Sequence, residues 1–254
     1  MPAERDVIIR NSRDSILGEP TYTKSSDLGV TQFRHPYPRD LVEEICRKAI
    51  KLRHTHAEKR HLNLMYIRGA QRYIPEIAEL VHFDGRLEML SDFAGTNLEV
   101  YPLSVISTII TFQDCNSDGS IVWHCDGIPI TEMVPLSIDR LVGGDLQLYC
   151  GNPEVGMARV YNQGETILDS EILSIRHRLN YSILGQLMRL MHRVEPISQG
   201  CRITLNMNLR SESKPYIDDN NLCYLAADNP DLEWKDEYVA DVVARQLPSY
   251  VRPD

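Results

Sequence analysis

The chain has 254 residues, enough for one large domain with its own core, and a formal net charge of −9, which argues against a nucleic-acid surface built on basic patches. No run of about 18 apolar residues could span a membrane, and the charged start Met1–Asp6 lacks the apolar stretch of a secretory signal. The six cysteines form no Cys-x-x-Cys pair, which fits reduced thiols in a cytoplasmic protein.

Residues 1–37 are polar and rich in turn formers, with Val7-Ile8-Ile9 as a short strand and the rest irregular. A helix follows Pro38, with Leu41, Ile45, Ala49 and Ile50 at helical spacing. The run containing His54, His56 and His61 carries no carboxylate pattern to complete a metal site and is read as a solvated face. A second helical region spans residues 70–94, with an apolar stripe of Ile74, Ile77, Leu80, Val81, Leu87 and Leu90 broken at Asp84-Gly85.

From Leu98 the pattern changes to strands. Val105 to Phe112 is β-branched, Asn116-Ser117-Asp118-Gly119 signals a turn, and Ile128 to Ile138 is an extended run interrupted by Pro129 and Pro135. Gly143-Gly144 turns into a strand over residues 145–149. Residues 161–187 carry Arg176-His177-Arg178 and read as a solvated loop. Leu187 to His192 is an apolar run suited to a buried strand, and Ile203 to Leu209 is another. The polar tail from Ser211 ends in a helical segment near residues 237–246. Short strands at this spacing predict a sandwich or jelly roll, a mainly β fold with N-terminal helices. The expected organisation is a single domain: 1–97 helical support, 98–210 β core, and 211–254 a C-terminal lid.

The chemistry concentrates around Trp123-His124-Cys125-Asp126-Gly127. In a strand, residues two apart share a face, so His124 and Asp126 would point the same way. With eight histidines in the chain a lone His-x-Asp is weak, but here Gly143-Gly144-Asp145-Leu146 follows, then His192 with Pro196, Gly200 and Arg202 behind it. Two imidazoles and one carboxylate on one face of a metal mark non-haem Fe(II) oxygenases.

This constellation, from about Tyr101 to Leu209, resembles the Fe(II)/2-oxoglutarate-dependent oxygenase superfamily. The resemblance implies a double-stranded β-helix (jelly-roll, cupin-like) core, with His124, Asp126 and His192 as both the catalytic and the metal-binding set. It implies 2-oxoglutarate as co-substrate, its far carboxylate on Arg202 and its neighbour Thr204, since a planar guanidinium grips a carboxylate with two bonds. Asn206 and Asn208 share the parity of Arg202 and are candidate substrate contacts, and Trp234 is a candidate cap on the pocket. The partners implied are O2 and a small-molecule substrate, with no nucleic acid and no membrane; the oligomeric state is left open, a homodimer included.

The motif style, Trp-His-x-Asp-Gly with His-Arg-Val-x-Pro, is similar to bacterial free-amino-acid hydroxylases and halogenases. Halogenases of that type replace the ligand carboxylate by Gly or Ala, so Asp126 favours hydroxylation of an unactivated C–H bond, with desaturation or cyclisation as alternatives. Two other classes stay open: a non-oxidative cupin-like metal enzyme, which would have no use for Arg202, and an inactive binding module, which would tolerate loss of a ligand.

Overall fold

The computed structural model describes residues 6–20, 25–59, 64–115, 121–218, 220 and 222–250. His61 and the turn expected at 116–119 lie outside the described residues. In chain order the elements are β1 (Val7–Ser12), α1 (Arg13–Leu17), β2 (Leu28–Arg34), α2 (Arg39–His56), β3 (Glu58–Lys59), β4 (Met65–Arg68), α3 (Glu76–Val81), α4 (Arg86–Ala94), β5 (Leu98–Val100), β6 (Thr108–Asp114), β7 (Ile121–His124) and β8 (Ile130–Val142). They continue as β9 (Leu146–Tyr149), α5 (Pro153–Met157), β10 (Ile172–Ile175), β11 (Tyr181–Gly185), β12 (His192–Val194), β13 (Gln199–Ser211), α6 (Leu222–Asp228) and α7 (Lys235–Asp241).

Two antiparallel sheets face each other. The larger runs β1-β2-β11-β8-β13-β6-β4-β3, with β5 added beside β13; the smaller runs β10-β9-β12-β7. This is a mainly β jelly roll. Its long members are β8 and β13, paired from Gln199↔Val142 to Leu209↔Ile130, with a register shift where Thr204 meets Pro135. Proline cannot donate to the ladder, so a bulge is the physical answer to Pro135 inside a central strand.

Strand alternation divides the large sheet into two faces. On β13, Ile203, Leu205 and Met207 point outward into a core with Ile67, Ile110, Phe112, Val134 and Leu136. The helices α2 and α3 cover that face, burying Val42, Ile45, Cys46 and Ala49 from one and Ile77, Leu80 and Val81 from the other. Ile45 and Ala49 are buried as their spacing predicts and Leu41 is half-buried, Val42 and Cys46 join the stripe, and Ile50 stays exposed. The break at Asp84-Gly85 is real: Gly85 takes φ +71, and α4 starts after it.

Glu132, on the same outward face, is fully buried. Its carboxylate accepts from the Tyr37 hydroxyl at 2.7 Å, the Ser182 hydroxyl at 2.9 Å and Arg86 Nε at 2.9 Å. A buried carboxylate is tolerated when a cation and hydrogen bonds satisfy it.

Several predicted elements differ, beginning with the region 1–97, expected to be helical support and irregular over most of 1–37, which contributes α1 and the strands β1 to β4 of the large sheet. Val105 and Ile106 precede β6 in a turn closed by bonds from Ile106 and Ser107 N–H to the Leu103 carbonyl. The segment 161–187 holds β10 and β11 rather than one long loop. Leu187–Met191 is a buried bend, with the Arg189 N–H on the Gln186 carbonyl, and only His192–Val194 is strand. A continuous apolar run reports burial, not extension, and here burial came without pairing. Asp126, finally, lies just beyond the end of β7.

Candidate active site

The cavity between the two sheets has a volume of about 1020 Å³. Its inner walls come from β6, β8 and β13 on one side and β7 and β12 on the other, and its outer wall from β4 and α6.

His124 and His192 are direct cross-strand partners on β7 and β12, with ring centroids 4.2 Å apart. Each ring hands its Nδ1 proton to the carbonyl two residues back: His124 to Val122 at 2.8 Å, His192 to Leu190 at 2.9 Å. A carbonyl only accepts, so in the neutral ring the Nε2 lone pair is left facing inward. Both Nε2 atoms converge on Asp126 Oδ1, at 3.3 and 3.6 Å. Asp126 keeps this position outside the strand because its N–H donates to the Leu187 carbonyl.

Among the described residues this is the group of three or more His, Cys, Asp or Glu side chains whose ligand atoms lie within 4.8 Å of one another. The electrostatics bind the three together. Burial works against a charged His124, but the hydrogen bond and charge of Asp126 outweigh it and raise its pKa. Burial opposes ionisation of Asp126 too, yet the two imidazoles hold its carboxyl well below the usual range. Two bare Nε2 atoms and a carboxylate on one side suit a divalent first-row metal, and the backbone carbonyls behind the rings fix the tautomer such a metal needs.

The strand β7 is braced from behind. Trp123 packs with Tyr149, Ile167 and Met191 on the far face of the small sheet, and Arg193 stacks on its ring at 4.6 Å. Gly127 lets the C-terminal segment approach: a Cβ there would sit 2.9 Å from the Asn220 side chain.

Arg202, on β13, is 3 % exposed. Its guanidinium donates to the Gly144 carbonyl at 2.5 Å and to the Gln113 side chain, its register partner on β6. Gly143 and Gly144 both take positive φ, a turn that only glycine makes without strain, which aims that carbonyl at Arg202. Arg202 Nε and Thr204 Oγ1 are buried with no hydrogen-bond partner. Burial pushes the Arg202 pKa down to about 9, with the charge of Asp145 acting the other way. A buried guanidinium with no carboxylate against it is a receptor for an anion.

The strand-parity expectation puts Arg202, Thr204, Asn206 and Asn208 on one wall, and all four line the cavity. Asn208 is committed within the protein: it donates to the Ile106 carbonyl at 2.5 Å and accepts from Thr131 at 3.0 Å. Trp234 is not among the lining residues. It is 2 % exposed, packs with Leu225, Tyr101 and Ile106, and donates its indole N–H to the Asn229 carbonyl. The indole therefore supports α6 from behind, and Tyr224, Ala227 and Asp228 of α6 reach the cavity instead. His54 and His56 sit at the end of α2, away from the cluster.

Sequence reading missed several lining residues. Gln113 shares a face with Thr111 and Ile109, so alternation along β6 carried the signal. His177, masked by two flanking arginines, is 5 % exposed and lines the cavity. Arg68, which pairs with Asp228 at 3.5 Å, and Asn220 carried no local signal.

No family model matches the chain, and no curated protein matches it by sequence. Among solved structures, the non-heme alpha ketoglutarate dependent carbocyclase SnoK from nogalamycin biosynthesis is similar, with TM-score 0.57 and 13 % identity over 80 % of this chain and 87 % of that one. The fold is shared. The epimerase SnoN in complex with Fe3+, alpha ketoglutarate and nogalamycin RO gives TM-score 0.56 and 13 % identity over 73 % and 80 %. HygX from Streptomyces hygroscopicus, with nickel and 2-oxoglutarate bound, gives 0.54 and 14 % over 74 % and 83 %.

Proposed function

We propose that this protein is an Fe(II)- and 2-oxoglutarate-dependent oxygenase acting on an unactivated C–H bond of a small molecule. One observation carries the reading: a single cavity holds both the His124–Asp126–His192 cluster and, on the facing sheet, a buried arginine without a carboxylate. His124, Asp126 and His192 would hold the iron. Arg202 and Thr204 would take the far carboxylate of 2-oxoglutarate, with Gln113 and Gly144 fixing the guanidinium plane. Bound iron and co-substrate would supply O2 activation and hydrogen-atom abstraction, with succinate and carbon dioxide as co-products; the chain supplies ligands, orientation and the cavity between the sheets.

Asp126 fills the position a halide would need, so hydroxylation is the first expectation. Neighbours described as a carbocyclase and an epimerase support ring closure or epimerisation on the same iron as the second reading. The motif style suggested a free amino acid. The cavity of about 1020 Å³ would hold 2-oxoglutarate and a small substrate side by side, which suits a free amino acid or a related biosynthetic intermediate. Arg68 is engaged by Asp228 and Asn229, which disfavours it as the holder of an amino-acid carboxylate. No described helix is long and apolar enough to cross a membrane. A cytoplasmic setting, which keeps iron ferrous and thiols reduced, completes the proposal.

The test is anaerobic addition of Fe(II) and then 2-oxoglutarate, watching for the visible charge-transfer band of a chelated keto acid, followed by O2 and measurement of succinate. A band and O2-dependent succinate are expected. Iron binding without a band would point to a cupin-like metal enzyme, and no metal binding to an inactive module.

A further inference from the structure

Five of the buried side-chain atoms that lack a hydrogen-bond partner belong to residues lining this one cavity: Arg68 Nε, His177 Nδ1, Arg202 Nε, Thr204 Oγ1 and Asn220 Nδ2. Unpaired buried polar atoms are rare in folded proteins, so a cluster of them marks where a ligand belongs. Arg202 and Thr204 are accounted for by the proposed co-substrate. His177 is not. It stands between β10 and β11, outside the metal motif, yet it is almost fully buried and reaches the cavity.

We infer that His177 is the third donor of the 2-oxoglutarate site, giving a neutral N–H to the same far carboxylate that Arg202 and Thr204 take. This rests on the oxygenase reading above. Burial drives the imidazole well toward its neutral form, and Arg202 is near enough for its charge to push the same way. A neutral imidazole still carries one N–H.

Charge balance explains why a histidine rather than a second cation suits this place. The two positive charges of ferrous iron and the one of Arg202 are matched by Asp126 and the two carboxylates of 2-oxoglutarate. A lysine or arginine at 177 would add an unmatched buried charge, which is costly. His177 adds a hydrogen bond and no charge. It lines the same cavity as Arg202 and Thr204 and acts there as a positioning residue for the co-substrate carboxylate.

The experiment uses the full chain, Fe(II) and two keto acids under anaerobic conditions. 2-Oxoglutarate has the far carboxylate; pyruvate chelates iron by the same keto-acid end without it. Dissociation constants are read from the charge-transfer band for the parent protein, His177→Leu and His177→Asn. His177→Leu is expected to weaken 2-oxoglutarate by about ten- to a hundredfold, the loss of one hydrogen bond to a charged group, and to leave pyruvate unchanged. His177→Asn, which keeps an N–H near the Nδ1 position, should recover most of the affinity. Equal weakening of both keto acids by His177→Leu means a merely structural role and overturns the assignment, as does no weakening of either. Absence of a band in the parent protein itself is a different failure: it removes the oxygenase reading, and this inference with it.

Discussion

His124 and His192 face each other as one register pair across β7 and β12, and each is locked through Nδ1 to the main-chain carbonyl two residues before it. The ligand atoms are therefore oriented by main chain, not by neighbouring side chains. Mutations around the rings should leave that orientation intact, whereas loss of a ligand should not be compensated.

Asp126→Ala removes the carboxylate that both Nε2 atoms converge on. Hydroxylation is expected to fall by about a thousandfold or more, because a metal centre contributes several kcal/mol to such a reaction. With chloride present, product mass spectra should show whether the opened position admits a halide. Hydroxylation at the parent rate would remove Asp126 from the ligand set.

Arg202→Ala should raise the dissociation constant of 2-oxoglutarate by about a hundredfold, equivalent to about 3 kcal/mol for a lost charged, two-point contact. Ferrous iron should still bind, since His124, Asp126 and His192 are untouched. Titration of the charge-transfer band reads the first quantity and metal analysis the second. Unchanged co-substrate affinity would require another anchor for the carboxylate.

Glu132→Gln keeps the shape of a fully buried side chain but leaves Arg86 without its counter-charge. Breaking one partner of such a pair costs about 3–5 kcal/mol. Urea unfolding should show that loss while iron affinity holds, because Glu132 faces α4 and not the cavity. A stability loss below about 1 kcal/mol would mean that Arg86 finds another partner.

Acid should loosen the C-terminal helices. Burial opposes ionisation of Asp241, but hydrogen bonds from Arg210 outweigh it, so its carboxyl is held below the ordinary value of 3.8. A depressed carboxyl contributes stability above its unfolded pKa and loses it as pH falls through the folded one. Asp241→Asn should accordingly be less stable at neutral pH and show a flatter decline below about pH 4 in thermal melts. An identical acid limb in both proteins would exclude the Arg210–Asp241 pair as its source.

Much of the site was legible because it is local. Arg202, Thr204, Asn206 and Asn208 line one wall since a strand alternates, and the glycine pair marked a turn that positive φ confirms. The break at Asp84-Gly85 was visible for the same reason. What stayed hidden depends on distant partners. Leu187–Met191 looked like a strand, but its apolar side chains serve a bend whose Leu187 carbonyl holds Asp126. His177 looked solvated between two arginines until β10 and β11 turned it inward. Trp234 looked like a cap, and only the packing of α6 shows that it stands behind the wall.

The C-terminal helices are tied to the rest of the molecule by polar pairs, Arg210 to Asp241, Arg72 to Glu233, Ser104 to Glu237 and Arg68 to Asp228, and by the packing of Leu225 and Trp234 on Tyr101, Leu103, Val105 and Ile106. None of these residues is a candidate metal ligand. Exchanging the helices for others that preserve the acids opposite Arg210, Arg72 and Ser104, together with the buried Leu225 and Trp234, would redraw the mouth of the cavity while leaving the His124–Asp126–His192 cluster and Arg202 as they are. In evolution, and equally in the laboratory, the range of molecules admitted can drift independently of the residues proposed to hold the metal and the co-substrate.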